Sequence, residues 1–200
     1  KLKIDPENDL FEILDIIQKW NRKTDIDSQG AGIYGVLYYQ LVSSYRNEIL
    51  ENDNTVSKET LLSALSDIKS YLTDNFGSIN ITLGDFQKLV RGDIEIPIWG
   101  LPDVITAMSS RPYKDGIRKV TQGESYIGLI RFNDKGPTIE SIISFGNSDN
   151  PDSEHYTDQM ELYSKFKTKK MTFDKREIYS KAKSIYLSLI HISEPTRHAS

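Results

Sequence analysis

No cysteine occurs among the 200 residues, so disulfides, thiolate metal sites and a cysteine nucleophile are excluded. No apolar run approaches the roughly 18 to 20 residues that a membrane-crossing helix needs. Charge of one sign is not concentrated anywhere: 25 basic and 29 acidic residues are interleaved, for a net charge of -4. That pattern suggests neither a nucleic-acid footprint nor a membrane-surface patch, and neither partner is expected. Histidine is scarce, at three residues, and the sequence opens on Lys1 rather than methionine. It reads as starting after a removed leader or inside a longer chain, with no signal segment visible. What is present is an ordinary globular composition, 38% hydrophobic and 27% charged, at a length that can bury one sizeable core.

From Leu10 to Trp20 the apolar residues recur at helical spacing, with Asn8 or Asp9 as candidate caps. After a polar break carrying Asp27 and Ser28, the stretch Gly32 to Leu50 predicts a second helix rich in tyrosine. Gly30, Gly32 and Gly35 near its start would weaken an isolated helix, so close packing against a neighbour is expected. Ser57 to Phe76 predicts a third helix, started by Ser57 and stopped by Gly77. The period then changes. Ile94, Ile96 and Ile98 alternate around Pro97, which predicts an edge strand or an extended segment. Tyr126 to Phe132 and Thr138 to Phe145 are rich in β-branched and aromatic residues. They flank Asn133-Asp134-Lys135-Gly136-Pro137, and together predict a β-hairpin with a positive φ at the glycine. Short helices are expected over His155 to Phe166 and Asp174 to Tyr186. Helices first, then strands, then short helices make an α+β pattern.

The end of the sequence stands apart. Leu187 to Arg197 resembles a translated sequencing-library adaptor, so 187–200 is expected to be non-native, leaving 1–186 as the segment of interest. His191 and His198 fall in that tail and drop out as catalytic or metal candidates, which leaves His155.

Three local constellations invite a chemical reading. Ser153, His155 and Asp158 have the residue types of a triad, but members of a linear relay usually come from separate segments. His155 and Asp158 are instead expected to hold the loop and the helix start. Asp149, Asp152 and Glu154 are close together, but calcium needs six to eight oxygens and the EF-hand spacing is absent; a solvated loop is expected. Arg91-Gly92-Asp93 is too short to be specific, and a turn before Ile94 accounts for it. The tyrosines of the second helix could stack on a ligand, but buried helix contacts are the commoner use. From residue chemistry alone there is no active site here, only an α+β domain.

Ordered blocks carry a further signal. They are Trp20-Asn21, Asp27-Ser28-Gln29-Gly30-Ala31, Gly84-Asp85-Phe86-Gln87-Lys88-Leu89-Val90-Arg91-Gly92-Asp93, Pro97, and Gly100-Leu101-Pro102-Asp103-Val104. Then come Gly123-Glu124-Ser125-Tyr126, Ser141 through Phe145-Gly146-Asn147-Ser148, and Pro151-Asp152-Ser153-Glu154-His155-Tyr156-Thr157-Asp158-Gln159 with Leu162-Tyr163. In this order they resemble the end of the β chain of penicillin acylases, nearest the acyl-homoserine-lactone and aculeacin acylase branch, over Leu10 to Tyr186. Glu154 stands where the family often has proline, and Glu124 where it often has aspartate.

The resemblance implies a fragment of an N-terminal-nucleophile fold, a four-layer αββα sandwich. It implies a self-cleaving precursor and a serine at the new β-chain N-terminus, which attacks an amide carbonyl with its own α-amino group as base. An asparagine and backbone N–H groups would hold the oxyanion. No metal or redox cofactor enters that chemistry, and any structural calcium of the parent would have its ligands outside this sequence. All catalytic groups would lie upstream of Lys1, so no catalytic residue is expected here. The motif residues Gly84, Asp85, Arg91, Gly92, Asp93, Pro102, Asp103, Gly123, Ser125, Tyr126, His155, Tyr156, Asp158 and Gln159 are expected to serve the scaffold. The implied partners are the α chain and the N-terminal part of the β chain of the parent, and a small acylated amide as substrate. The implied compartment is periplasmic or extracellular. The competing expectation is a self-standing, non-catalytic α+β binding module.

Overall fold

Four helices begin the chain, and local hydrogen bonds set the starts of the first, second and fourth. The computed structural model describes residues 4–134 and 136–185. In α1 (Phe11–Lys19) the buried face carries Ile13 and Leu14, and the Asn8 side chain accepts from the Leu10 N–H at 2.9 Å. α2 (Gln29–Ser44) starts three residues earlier than the tyrosine-rich stretch predicts, because the Ser28 hydroxyl accepts from the Ala31 N–H at 3.1 Å. It also stops earlier. Tyr45 leaves helical geometry at φ -119, its phenol donates to Asp67 at 2.7 Å, and a separate short helix α3 (Arg46–Glu51) follows. The single helix expected to Leu50 is therefore two. α4 (Lys58–Phe76) has the expected ends, with Ser57 capping Thr60 and Gly77 left-handed at φ 69.

The close packing expected of the α2 glycines is present. A Cβ on Gly32 would lie 2.7 Å from the Thr82 carbonyl carbon, so only glycine lets this helix meet the backbone of the next element. That element is the one-turn α5 (Leu83–Phe86), opened by a capping box between Thr82 and Asp85. Ile13, Ile33, Leu65, Ile68, Leu72, Leu83, Phe86 and Leu101 fill the first buried cluster.

α5 runs directly into β1 (Gln87–Arg91), which pairs antiparallel with β2 (Ile94–Pro97). β2 is an edge strand, where the missing N–H of Pro97 costs nothing. Two further strands, β3 (Met108–Lys114) and β4 (Ile117–Gly123), went unread in the sequence because their apolar alternation is weak. They form a hairpin with Asp115 and Gly116 at its tip, both at positive φ (47 and 72), as a type I′ turn requires. β4 pairs parallel with β1, which gives the order β2-β1-β4-β3. Against this sheet, Leu89, Ile98, Trp99, Met108, Val120, Ile142, Met160 and Tyr163 make the second buried cluster. Met160 and Tyr163 come from α6 (Met160–Ser164); the longer helix predicted from His155 is replaced by turns up to Gln159.

The chain divides into two units. The larger holds the residues up to Ile127 and Ile142–Thr168. The smaller holds Gly128–Ser141 and the described residues from Lys169, and carries most of a second sheet, β5-β6-β7. β5 is Tyr126–Asn133, β6 is Gly136–Ile143 and β7 is Lys169–Met171. The predicted hairpin is there, with Gly136 at φ 103, but β6 begins and ends two residues before Thr138 to Phe145. Phe145 is released from the strand because its carbonyl accepts from the Gln159 N–H at 2.8 Å. α7 (Lys175–Lys181) is capped by Asp174 and is shorter than predicted. The architecture is α+β, as expected. The tail 187–200, with His191 and His198, lies outside the described residues.

Candidate functional site

The motif residues gather at two places in the larger unit. The first centres on Arg91, at the end of β1. Its guanidinium lies 4.1 Å from the Tyr156 ring centroid and 4.9 Å from that of Phe145, and Nη2 donates to the Ser148 carbonyl at 2.9 Å. Gly92 turns the chain at φ 58 and faces the Tyr156 ring. Asp93 completes the turn into β2. The loop between Gly146 and Gln159 is closed by backbone bonds: Ser148 N–H to His155 carbonyl at 3.1 Å, and Gln159 N–H to Phe145 carbonyl. The buried Gln159 side chain adds a third, accepting from the Ile143 N–H at 3.3 Å.

His155 and Asp158 meet on this loop, Nδ1 to Oδ2 at 2.9 Å, and Glu154 approaches Nε2 at 3.7 Å. Ser153 does not face the imidazole. Its hydroxyl accepts from the backbone N–H of His155 at 3.1 Å, so the triad order of nucleophile, base and orienter is not formed. More than half of the His155 side chain is exposed. Asp149, Asp152 and Glu154 do not assemble a cation site; among the described residues no three His, Asp or Glu side chains could hold a metal ion.

The second place joins the Gly84-Asp85 block to the Trp20 and Ser28 blocks. Gly84 N–H donates to the Ile26 carbonyl at 2.7 Å, and Leu83 N–H to the Ser28 carbonyl at 3.0 Å. Trp20 Nε1 donates to the Lys23 carbonyl at 2.8 Å. The Asp85 carboxylate accepts from the Thr82 N–H at 2.8 Å and hydroxyl at 2.7 Å. Those bonds, the backbone one foremost, hold its pKa below the usual carboxylate range against the opposing effect of partial burial. Asp103, after Pro102, takes a left-handed φ of 58.

Gly123 packs on Met108, the Ser125 carbonyl accepts from the Ser144 N–H, and Tyr126 is exposed. The buried Tyr163 phenol donates to the Glu124 carbonyl; burial first, then the nearby Glu124 charge, raises its pKa far above the ordinary phenol value.

One cleft was not anticipated. It measures about 680 Å³ and opens between α2, α4 and the β3–β4 hairpin, with Tyr39, Tyr71, Phe86, Tyr113 and Arg118 among its walls. The Arg118 guanidinium lies 3.5 Å from the Tyr39 ring centroid, and its Nε donates to the Ser110 hydroxyl at 3.1 Å. Tyr39 is thus a contact residue, as expected of that helix, though it holds a cation as well as apolar neighbours. The Asp115-Gly116 dipeptide was the signal that could have found this hairpin, since that pair favours a two-residue turn.

Comparison with known proteins places the chain in a family. A family model described as Penicillin amidase matches residues 2–180. The chain is 35% identical over 117 residues to the acyl-homoserine lactone acylase PvdQ of Pseudomonas syringae pv. syringae, covering 57% of this chain and 15% of that protein. It is 36% identical over 98 residues to the protein of that name from Pseudomonas savastanoi pv. phaseolicola, covering 48% of this chain and 13% of that one. A third match, from Pseudomonas fluorescens Pf0-1, is 34% identical over 98 residues, again 48% and 13%. The chain therefore spans only a small part of the length of these relatives.

Proposed function

Since the chain belongs to the penicillin amidase family, we propose that it is a scaffold segment of an N-acyl amide hydrolase whose serine nucleophile lies upstream. The observation that carries this reading is the state of the smaller unit. Leu129 and Ile130 are adjacent in β5, so they point to opposite faces of the sheet, and each is 57% exposed. Phe132, Phe173 and Tyr179 are exposed as well. A strand that is apolar on both faces suits a sheet covered on both sides. A four-layer αββα sandwich would supply that cover, with helices on one face of each sheet and the other sheet on its second face. A patch of this kind on a free protein marks an interface or an aggregation risk.

In the proposed enzyme the serine hydroxyl adds to the amide carbonyl while its own α-amino group takes the proton. Backbone N–H groups and an asparagine side chain hold the oxyanion. Collapse expels the amine, and water then releases the acid from the acyl-serine ester. This chain supplies none of those groups in our reading; Arg91, Gly84 and Asp85 brace loops of this chain itself. N-Acyl-homoserine lactones, cleaved at the amide, are the substrate class that the named relatives suggest. The compartment proposed is periplasmic or extracellular. Residues 187–200 are proposed to be adaptor-derived, and coding nucleotides unlike the adaptor would sink that part.

The decisive experiment is to read and express the gene around this sequence. A serine behind a processing site upstream of Leu10, with amide hydrolysis by the purified product, is the expected result. The second reading, a self-standing binding module, draws on the two well-buried clusters of the larger unit. A 200-residue product that is soluble, melts cooperatively and has no upstream acylase sequence would favour it.

A further inference from the structure

The walls of the α2–α4–hairpin cleft carry three charged side chains, Lys114, Asp115 and Arg118. Lys114 is paired with Glu95 at 2.5 Å. Asp115 sits at the exposed hairpin tip beside Lys114 and forms no ion pair with Arg118. Arg118 is half-buried, and among the described residues it forms no ion pair. Its setting is rigid. One face lies on Tyr39, and Nε and Nη2 are committed to the hydroxyl and carbonyl of Ser110. Ser110 is held in turn by Tyr39, whose phenol oxygen accepts from the Ser110 N–H at 2.8 Å. A guanidinium offers five N–H donors in a fixed fork, so donors remain for a further acceptor.

A half-buried cation has lost part of its hydration, and an opposite charge brought to it offsets that loss when the geometry and the remaining hydrogen bonds are good. The remaining walls are mostly apolar, with Val36, Phe86 and Ile117 among them and Val42 and Tyr113 exposed at 43% and 42%, interrupted by Gln40, Ser43 and Asn75. The cleft thus asks for a carboxylate set among apolar groups. Relatives of which this chain covers 13 to 15% hold ample further chain to supply one. We propose that the cleft receives a segment from the rest of the acylase, in which an aspartate or glutamate flanked by apolar residues pairs with Arg118. This rests on the reading of the chain as part of a larger enzyme.

The test uses the intact protein encoded by the gene. In an Arg118→Lys variant, a zero-length carbodiimide should join the introduced amine to an aspartate or glutamate outside these 200 residues, as read by peptide mass mapping. A link to Asp115, or to another carboxylate of this sequence, overturns the proposal. So does the lack of any link in a variant that melts like the wild type. If that variant does not fold, wild-type protein is treated with phenylglyoxal. Arg118 should then react at least about tenfold more slowly in the native state than in denaturant, and equal rates overturn the proposal. Protection that appears only on adding octanoate would mark a small-molecule carboxylate site and overturn it too. A native gene product no longer than this chain would remove the acylase reading itself, which is a different failure and is visible in the intact mass.

Discussion

Arg91 lies over the ring of Tyr156 at 4.1 Å, which ties the turn before β2 to a loop more than sixty residues later in the chain. Its hydrogen bond to the Ser148 carbonyl adds a fixed direction to the contact. Arg91→Met keeps the apolar stem but removes the cation and the donor. It should cost about 2 kcal/mol, combining a cation–π contact and a charged hydrogen bond. Arg91→Lys should recover only part, since an ammonium cannot stack. Urea denaturation of the intact protein measures both.

Gly146 lies against the backbone of the same loop. A Cβ there would stand 2.1 Å from the His155 carbonyl oxygen and 2.7 Å from Asp158 Oδ1. Neither the backbone nor the paired carboxylate can yield freely, so Gly146→Ala should cost about 2 to 3 kcal/mol through overpacking. Gly136→Ala is a control with no neighbour within 4 Å, but with φ at 103, and its cost would be conformational alone. A thermal melt of the two variants separates clash from backbone strain.

His155 makes its contacts with Asp158 and Glu154, not with a serine hydroxyl. If the gene encodes the proposed acylase, His155→Ala should therefore leave its amide hydrolysis within about threefold of the wild type. General acid–base groups contribute about a hundredfold or more, so a loss of that size would make His155 catalytic and sink the scaffold reading.

Asp85 is held below the usual carboxylate pKa by its bonds from Thr82. A carboxylate with a depressed folded pKa stabilises the fold above its unfolded pKa, and that contribution is lost as pH falls through the folded value. Stability should thus decline below about pH 4, where an unfolded aspartate begins to bind its proton. In Asp85→Asn that part of the acid limb should be missing. Denaturation midpoints from about pH 7 to about pH 3 for both proteins check the difference.

Much of the fold was legible because its causes are local. Ser28, Ser57 and Asp174 cap helices through bonds spanning three residues, and Gly77 and Gly136 supply positive φ within single turns. Such interactions are written in short windows of sequence. The ordered motif blocks were legible too, and carried the family. The start of α2 was misread because Gly30 lowers intrinsic helicity while its packing on Trp20 and the Ser28 cap restore it, and its end because the break at Tyr45 depends on a contact with Asp67 in α4. β3 and β4 were missed because Arg111, Lys114, Arg118 and Lys119 blur the alternation; what decides them is the pairing of β4 with β1, a long-range choice.

By itself, then, the sequence determined the ends of α4, the caps at Ser28 and Asp174, where the hairpin turns at Gly136, and which family the chain belongs to. Only the tertiary structure decided that Arg91 faces Tyr156, that Ser153 turns from His155, and that Arg118 stands on Tyr39 in an aromatic cleft with no ion pair among the described residues. The reason is range. Caps and turns are settled by neighbours three or four residues away, whereas these contacts form only when buried clusters bring distant strands and loops together.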